Sequence, residues 1–168
     1  SDRGTAYHRA LELIHFAEIS SYDDIVKELD RIREEKRMQE TAIDMVYPGV
    51  LTKFFHSDIA ARMKQADRNG KLRKESQFVV GIPAREMNKA DSDALILLQG
   101  IIDAFFEEDG KLVLVDYKTD KVNNGKELAE KYQEQLRYYA KALEQMSGKK
   151  VKEKIIYSFT LKKEIYIE

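Results

Sequence analysis

The sequence contains no cysteine. That excludes disulfide staples, thiolate zinc sites, iron–sulfur clusters and cysteine nucleophiles, and it fits a reducing compartment such as the cytoplasm. Net charge is also nearly absent: 29 Lys and Arg stand against 30 Asp and Glu, leaving −1. A strongly basic chain would attract nucleic acid through its bulk field, so any polyanion site here has to be a local patch. No apolar run approaches the ~20 residues that span a bilayer, and no membrane contact is expected. Residues 1–9 are polar, unlike the apolar core of a signal peptide. There is no internal repeat and no low-complexity segment. What remains is a chain of 168 residues, 43% hydrophobic and 35% charged. It is long enough for one domain that buries roughly 70% of its unfolded surface, and too rich in Leu, Ile, Val and Phe for the disordered class.

The pattern changes near residue 70. Before it, apolar residues recur at helical spacing: Tyr7, Ala10, Leu11 and Ile14, then Tyr22, Ile25, Val26, Leu29 and Ile32. Ser21 is expected to cap the second helix, with Asp23 and Asp24 in its first turn. A third helical stretch covers 41–46 and is interrupted by Tyr47-Pro48-Gly49. Helical spacing resumes at Leu51, Phe54 and Phe55, and again from Asp58, a plausible N-cap, to Ala66, before the Asn69-Gly70 turn signal. After Gly70 strands are expected at 71–82, 94–106 and 111–116, with 87–93 a polar loop. Asp109-Gly110 is a hairpin signal between the last two strands. An amphipathic helix over 126–146 stops at Ser147-Gly148, and strands over 151–160 and 164–167 complete the chain. This order predicts an α/β or α+β domain with one mixed sheet.

Chemistry concentrates in residues 99–121. Asp103 lies in the first strand of the hairpin, and Asp116 and Lys118 lie at the end of the second. Residues two apart on a strand share a face, so Asp116 and Lys118 address one site, and the hairpin carries Asp103 towards them. The preceding Leu112-Val113-Leu114-Val115 is apolar throughout and is expected to be buried on both faces. An ionised Asp and Lys at the mouth of such a strand need a partner or an ion. Two carboxylates with a lysine suit phosphodiester chemistry assisted by Mg²⁺, a hard cation that prefers oxygen ligands. Taken alone, Asp-x-Lys is a common strand end; Asp103 one hairpin upstream favours the functional reading. His8 near the start of the first helix, Glu75 before a β-rich run, and Gln135 with Tyr139 on one helical face extend the candidate set. His15 and His56 are expected to be structural, and Tyr132 to pack against the sheet.

Gly-Thr-x-x-His, a glutamate before a strand, Gly-Ile-Ile-Asp, Asp-Tyr-Lys-Thr-Asp and Gln-x-x-x-Tyr occur in that order between Gly4 and Tyr139. Each is weak alone; together they resemble the RecB-type nucleases of the PD-(D/E)XK superfamily. Within that branch they are most similar to the C-terminal nuclease domains of AddA-type helicase–nucleases. The resemblance implies a restriction-endonuclease-like α/β fold, a central mixed sheet flanked by helices. One nuclease domain would span 1–168, with a helical segment over 1–70 and the catalytic sheet and helix over 71–168, excised from a longer chain.

The resemblance also implies roles. His8, Asp103, Asp116 and the backbone carbonyl of Tyr117 would hold Mg²⁺, for which Mn²⁺ could substitute. Lys118 would be the catalytic lysine and Glu75 a further carboxylate at the site. Gln135 and Tyr139 would support the site and touch the DNA strand. Lys121 would contact phosphate where the family pattern carries arginine, losing the bidentate geometry. Implied partners are DNA, a helicase domain of the same chain and an AddB-type partner protein. The implied activity is exonucleolytic cleavage of single-stranded DNA in recombinational repair. The alternatives are a free-standing exonuclease of the same superfamily and a catalytically silent DNA-binding scaffold. A helical interaction domain resting on residues 5–66 is the least specific of them.

Overall fold

The computed structural model describes residues 2–87 and 91–168. Five helices come first: α1 (Asp2–Leu13), α2 (Tyr22–Glu34), α3 (Glu40–Ile43), α4 (Pro48–Phe55) and α5 (Asp58–Arg68). Strands β1 (Leu72–Pro83), β2 (Leu95–Glu108) and β3 (Lys111–Lys118) follow, then α6 (Gly125–Ser147), β4 (Val151–Ser158) and β5 (Lys163–Ile167). The sheet runs β1-β2-β3-β4-β5 and is mixed: β3 and β4 are parallel, joined by α6, and the other pairs are antiparallel. This is the α/β arrangement expected from the element order.

Local chemistry explains most boundaries. Ser21 and Asp24 form a reciprocal capping box at the start of α2. Asn124 caps α6 by accepting from the Glu127 N–H, and left-handed Gly148 ends it. The Asp109-Gly110 turn has φ of 55° and 76°, the twist that closes a two-residue hairpin without splaying its strands. One expected cap moves. Ser57, not Asp58, has extended backbone and accepts from the Ala60 N–H, while Asp58 is the first helical residue, where its charge favours the helix dipole. The third helix is shorter than expected: Tyr47, ahead of Pro48, is extended, and Pro48 opens α4. A short 3₁₀ turn over Phe16–Glu18, which no local signal announces, inserts Phe16 into the core. A 3₁₀ turn over Ala84–Met87 follows β1 and reaches the expected polar loop at Met87; within that loop, residues 88–90 lie outside the described residues.

The sheet separates two cores. On one face α1, α4 and α5 supply Tyr7, Leu11, Phe54 and Ile59 against Val113, Val115 and Tyr157. On the other, α6 supplies Leu128, Leu136 and Leu143 against Leu112, Leu114 and Ile156. Strand β3 alternates between the two and is buried on both faces, as its uninterrupted apolar run predicts.

The long β1–β2 hairpin changes faces part-way. Leu72, Ala104 and Phe106 belong to the α1 side, yet Phe78, Val80 and Ile102, at the same parity, belong to the α6 side. The switch falls at Glu75 and Asp103. There the ladder passes from Lys74–Ala104 to Ser76–Ile102 without pairing the residues between. Glu75 has φ 47°, a left-handed backbone that a non-glycine residue adopts at a cost. No described helix is long and apolar enough to cross a membrane.

Candidate active site

The face switch and the end of β3 meet at one point. Asp116 and Lys118 project from the same side of β3, with Lys118 Nζ 3.0 Å from Asp116 Oδ2. Regular β2–β3 pairing stops at Ala104–Val115. One step further, Asp103 replaces a backbone acceptor with its side chain: the Tyr117 N–H donates to Asp103 Oδ2 at 2.8 Å. His8 enters from α1, with Nδ1 3.1 Å from Asp103 Oδ1 and Nε2 3.0 Å from the Tyr117 carbonyl oxygen. His8, Asp103 and Tyr117 therefore form a closed circuit beside the Asp116–Lys118 pair.

Helix α6 supplies the opposite wall. Lys118 Nζ donates to Gln135 Oε1 at 3.4 Å and lies 3.9 Å from the centre of the Tyr132 ring. Tyr132 in turn donates its hydroxyl to Asp120 at 2.8 Å. Sequence reasoning gives Tyr132 only a packing role against the sheet; its position three residues before Gln135 is the signal that it also holds Lys118. Asp120 is neutralised by Lys131 at 2.6 Å. Tyr139 stands edge-on to Phe78, 5.1 Å between ring centres. Lys121 is exposed in the loop after β3 and makes no side-chain hydrogen bond or ion pair among the described residues.

The electrostatics are those of carboxylates crowded away from water. Burial, then the neighbouring Asp103, pushes the Asp116 carboxyl well above its ordinary range. Burial and Asp103 likewise raise Glu75, to about 7. For His8, burial opposes the charged form, but the Asp103 hydrogen bond and the charges of Asp103 and Asp116 prevail and raise its pKa. Lys118 is also raised: burial favours the neutral amine, and Asp116 outweighs it. Lys118 is therefore an ammonium at neutral pH.

Two carboxylates, an imidazole and a carbonyl oxygen are chemically suited to a hard divalent cation. His8, Asp103 and Asp116 do not yet bring one ligand atom each within 4.8 Å of one another, so ligation would draw these side chains together. Asp116 Oδ2 is buried and faces the Lys118 ammonium at 3.0 Å, an ion pair without a hydrogen bond of acceptable geometry. The raised proton affinity of Asp116 beside Asp103 is the kind that a hard cation relieves. The 3.0 Å between His8 Nε2 and the Tyr117 oxygen is a hydrogen-bond distance, so a cation taking both as ligands would displace the shared proton. A second grouping, His15, Glu18 and Glu28, gathers at the α1–α2 junction. There Glu28 is already bound by Arg31 and by the His15 N–H, which makes it a clamp between helices.

The PD-(D/E)XK nuclease superfamily model matches residues 1–166. The chain belongs to this superfamily. Over its full length it is 37% identical to the A subunit of an ATP-dependent helicase/nuclease of Lachnoclostridium phytofermentans. It is 37% and 38% identical, over 99% of its length, to proteins of the same name from Clostridium botulinum (strain Alaska E43) and Clostridium beijerinckii. It spans only 14–15% of those relatives.

Two substitutions probe how the site is built. Glu75→Gln in the metal-free chain is expected to raise stability at pH 8 and to change little at pH 4.5. The folded-state pKa of about 7 lies above the ordinary 4.5 of a glutamate, so stability from the protonated form is lost as pH rises through that interval. Urea midpoints at the two pH values read this directly. Gly100→Ala would put a Cβ 2.8 Å from the Tyr139 hydroxyl and 3.2 Å from Phe78 Cζ. Overpacking of this kind costs about 1–3 kcal/mol, and adding Tyr139→Phe should recover part of it; a double-mutant cycle by urea unfolding measures the recovery.

Proposed function

We propose that this chain is the nuclease domain of a longer helicase–nuclease and hydrolyses phosphodiester bonds of single-stranded DNA with divalent metal. The observation that carries the reading is the buried Asp116–Lys118 ion pair beside the Asp103–His8–Tyr117 circuit. His8, Asp103, Asp116 and the Tyr117 carbonyl would hold Mg²⁺, with Mn²⁺ as a substitute. When bound, the ion polarises the phosphate and acidifies its water.

The chain's own groups do the rest. The Lys118 ammonium, fixed by Asp116, Gln135 and Tyr132, donates to a phosphate oxygen and stabilises charge as water attacks phosphorus. The P–O ester bond breaks, the water's proton passes to solvent, and the departing sugar oxygen takes up a proton, leaving a phosphate monoester and a hydroxyl end. Asp103 orients His8 and braces the Tyr117 peptide. Glu75, near neutrality, exchanges a proton on the cleft wall. Gln135 and Tyr139 position the strand, and Lys121 offers a charge to a flanking phosphate. The relatives' name, which joins helicase and nuclease, supports a helicase domain in the same chain feeding the strand. An AddB-type partner, a role in recombinational repair and a cytoplasmic location belong to the same reading.

Incubation of the chain with end-labelled single-stranded DNA and Mg²⁺ tests it. Cleavage that EDTA stops and Asp116→Asn abolishes is expected. An intact strand under all conditions would leave a silent scaffold.

A further inference from the structure

A second cavity, of ≈ 460 Å³, lies between α1 and the segment leading into α3. Asp2, Thr5, Arg9, Arg37, Met38 and Met45 are among the residues that line it. Thr5 also lines the active-site cleft beside His8, Glu75 and Lys118, so the two depressions adjoin on α1 at that residue. Arg9 bridges them electrically as well: its charge is felt at Glu75.

The groove has an unused cation. Arg37 is exposed and forms no ion pair or side-chain hydrogen bond among the described residues. Among the described residues Arg9 pairs only with Glu12, its neighbour one turn along the helix, a contact that contributes little and exchanges readily. Asp2 is the one acid among the lining residues, against two arginines. The two methionines are half-buried, and thioethers adapt to flat, polarisable surfaces. Cations along a trench with an adaptable apolar floor suit a single nucleic-acid strand, whose phosphates and base faces both need contacts. On a chain of net charge −1, such a patch supplies the local attraction that the bulk field does not.

Resting on the nuclease reading above, we propose that the α1–α3 groove holds the stretch of single-stranded DNA next to the scissile phosphate. Arg37 and Arg9 would meet its phosphates, and Met38 and Met45 its bases. The groove thus sets how much strand beyond the cleavage point the domain grips, and in which direction the strand lies over α1.

Fluorescence anisotropy with a labelled oligothymidine of about 12 nucleotides, in EDTA so that no strand is cut, tests this. Arg37→Glu is expected to lower affinity on the order of tenfold. The Arg9→Ala/Arg37→Ala pair should flatten the slope of log K against log salt by about 1.4, at about 0.7 per lost phosphate contact. Arg68→Glu, on α5 and outside the groove, should bind as the wild type does. Circular dichroism confirms that each variant is folded. Groove variants that keep wild-type affinity and slope, in a chain that still cuts DNA with Mg²⁺, overturn the groove and leave the nuclease reading standing. A wild-type chain that neither binds nor cuts the strand overturns both.

Discussion

Lys118→Ala should reduce cleavage at least about 10³-fold while leaving Mn²⁺ affinity within about twofold. The two effects separate because the residue is a donor and not a ligand. Its ammonium lies 3.0 Å from Asp116 Oδ2, held charged by that carboxylate, and it is steadied by Gln135 and the Tyr132 face. Removing it takes away the positive group that meets charge developing on phosphorus. It also frees an Asp116 oxygen for the ion, so binding is not weakened. Asp116→Ala should lose both properties. Lys118→Arg should not rescue, because a planar guanidinium spreads its charge over a fork that the ring at 3.9 Å leaves little room for. Isothermal titration with Mn²⁺ and a cleavage time course on the same preparations read the two quantities. Full cleavage by Lys118→Ala would remove the lysine from the mechanism.

The second large effect lies behind the site. Phe54→Ala should cost about 3–5 kcal/mol, enough to unfold a large share of a marginal domain. Phe54 is fully buried on α4, with Phe16, Phe55, Tyr117, Tyr157 and Phe159 at ring-centre distances of 4.9–6.0 Å. Truncation therefore leaves a cavity walled by rigid rings, which close up poorly. The same ring stands edge-on to Tyr117, 5.6 Å away, and Tyr117 presents its carbonyl to His8. Stability and site geometry therefore share one support. Phe54→Leu, which keeps more of the volume, should cost less than half as much. Urea unfolding of the three proteins gives the ordering, and a loss below about 1 kcal/mol for the alanine variant would contradict this account of the core.

The helical cover and the hairpin are legible in the sequence because each carries a local signature. Ser21 and Gly148 are caps whose side chain or backbone acts within a few residues. Asp109-Gly110 closes a turn by itself, and the apolar run of β3 betrays burial on both faces. The site is legible only in part. Asp116 and Lys118 share a face by strand periodicity, and Asp103 follows from the hairpin. His8, Glu75, Gln135 and Tyr139 have to come from the order of motifs, since nothing local links α1 or α6 to the end of β3. Three features leave no trace in the pattern. Glu75 adopts a left-handed backbone inside a sequence that reads as ordinary strand. The β1–β2 hairpin exchanges faces at that residue, which turns Val79, Leu95 and Leu97 outward. Asp103 replaces a backbone acceptor with its carboxylate. All three arise where two strands part, and strand parting depends on contacts far apart in sequence. The shift of the cap from Asp58 to Ser57 is smaller: both residue types cap well, and only the backbone angles choose between them.

The central claim is that one divalent ion site is formed by α1, β2 and β3 together. Crystals of the chain soaked in Mn²⁺ and measured for anomalous scattering address it most directly. The account predicts a peak bounded by His8, Asp103, Asp116 and the Tyr117 carbonyl oxygen, absent from crystals of Asp116→Ala. A peak at His15, Glu18 and Glu28 with none in the cleft would contradict it.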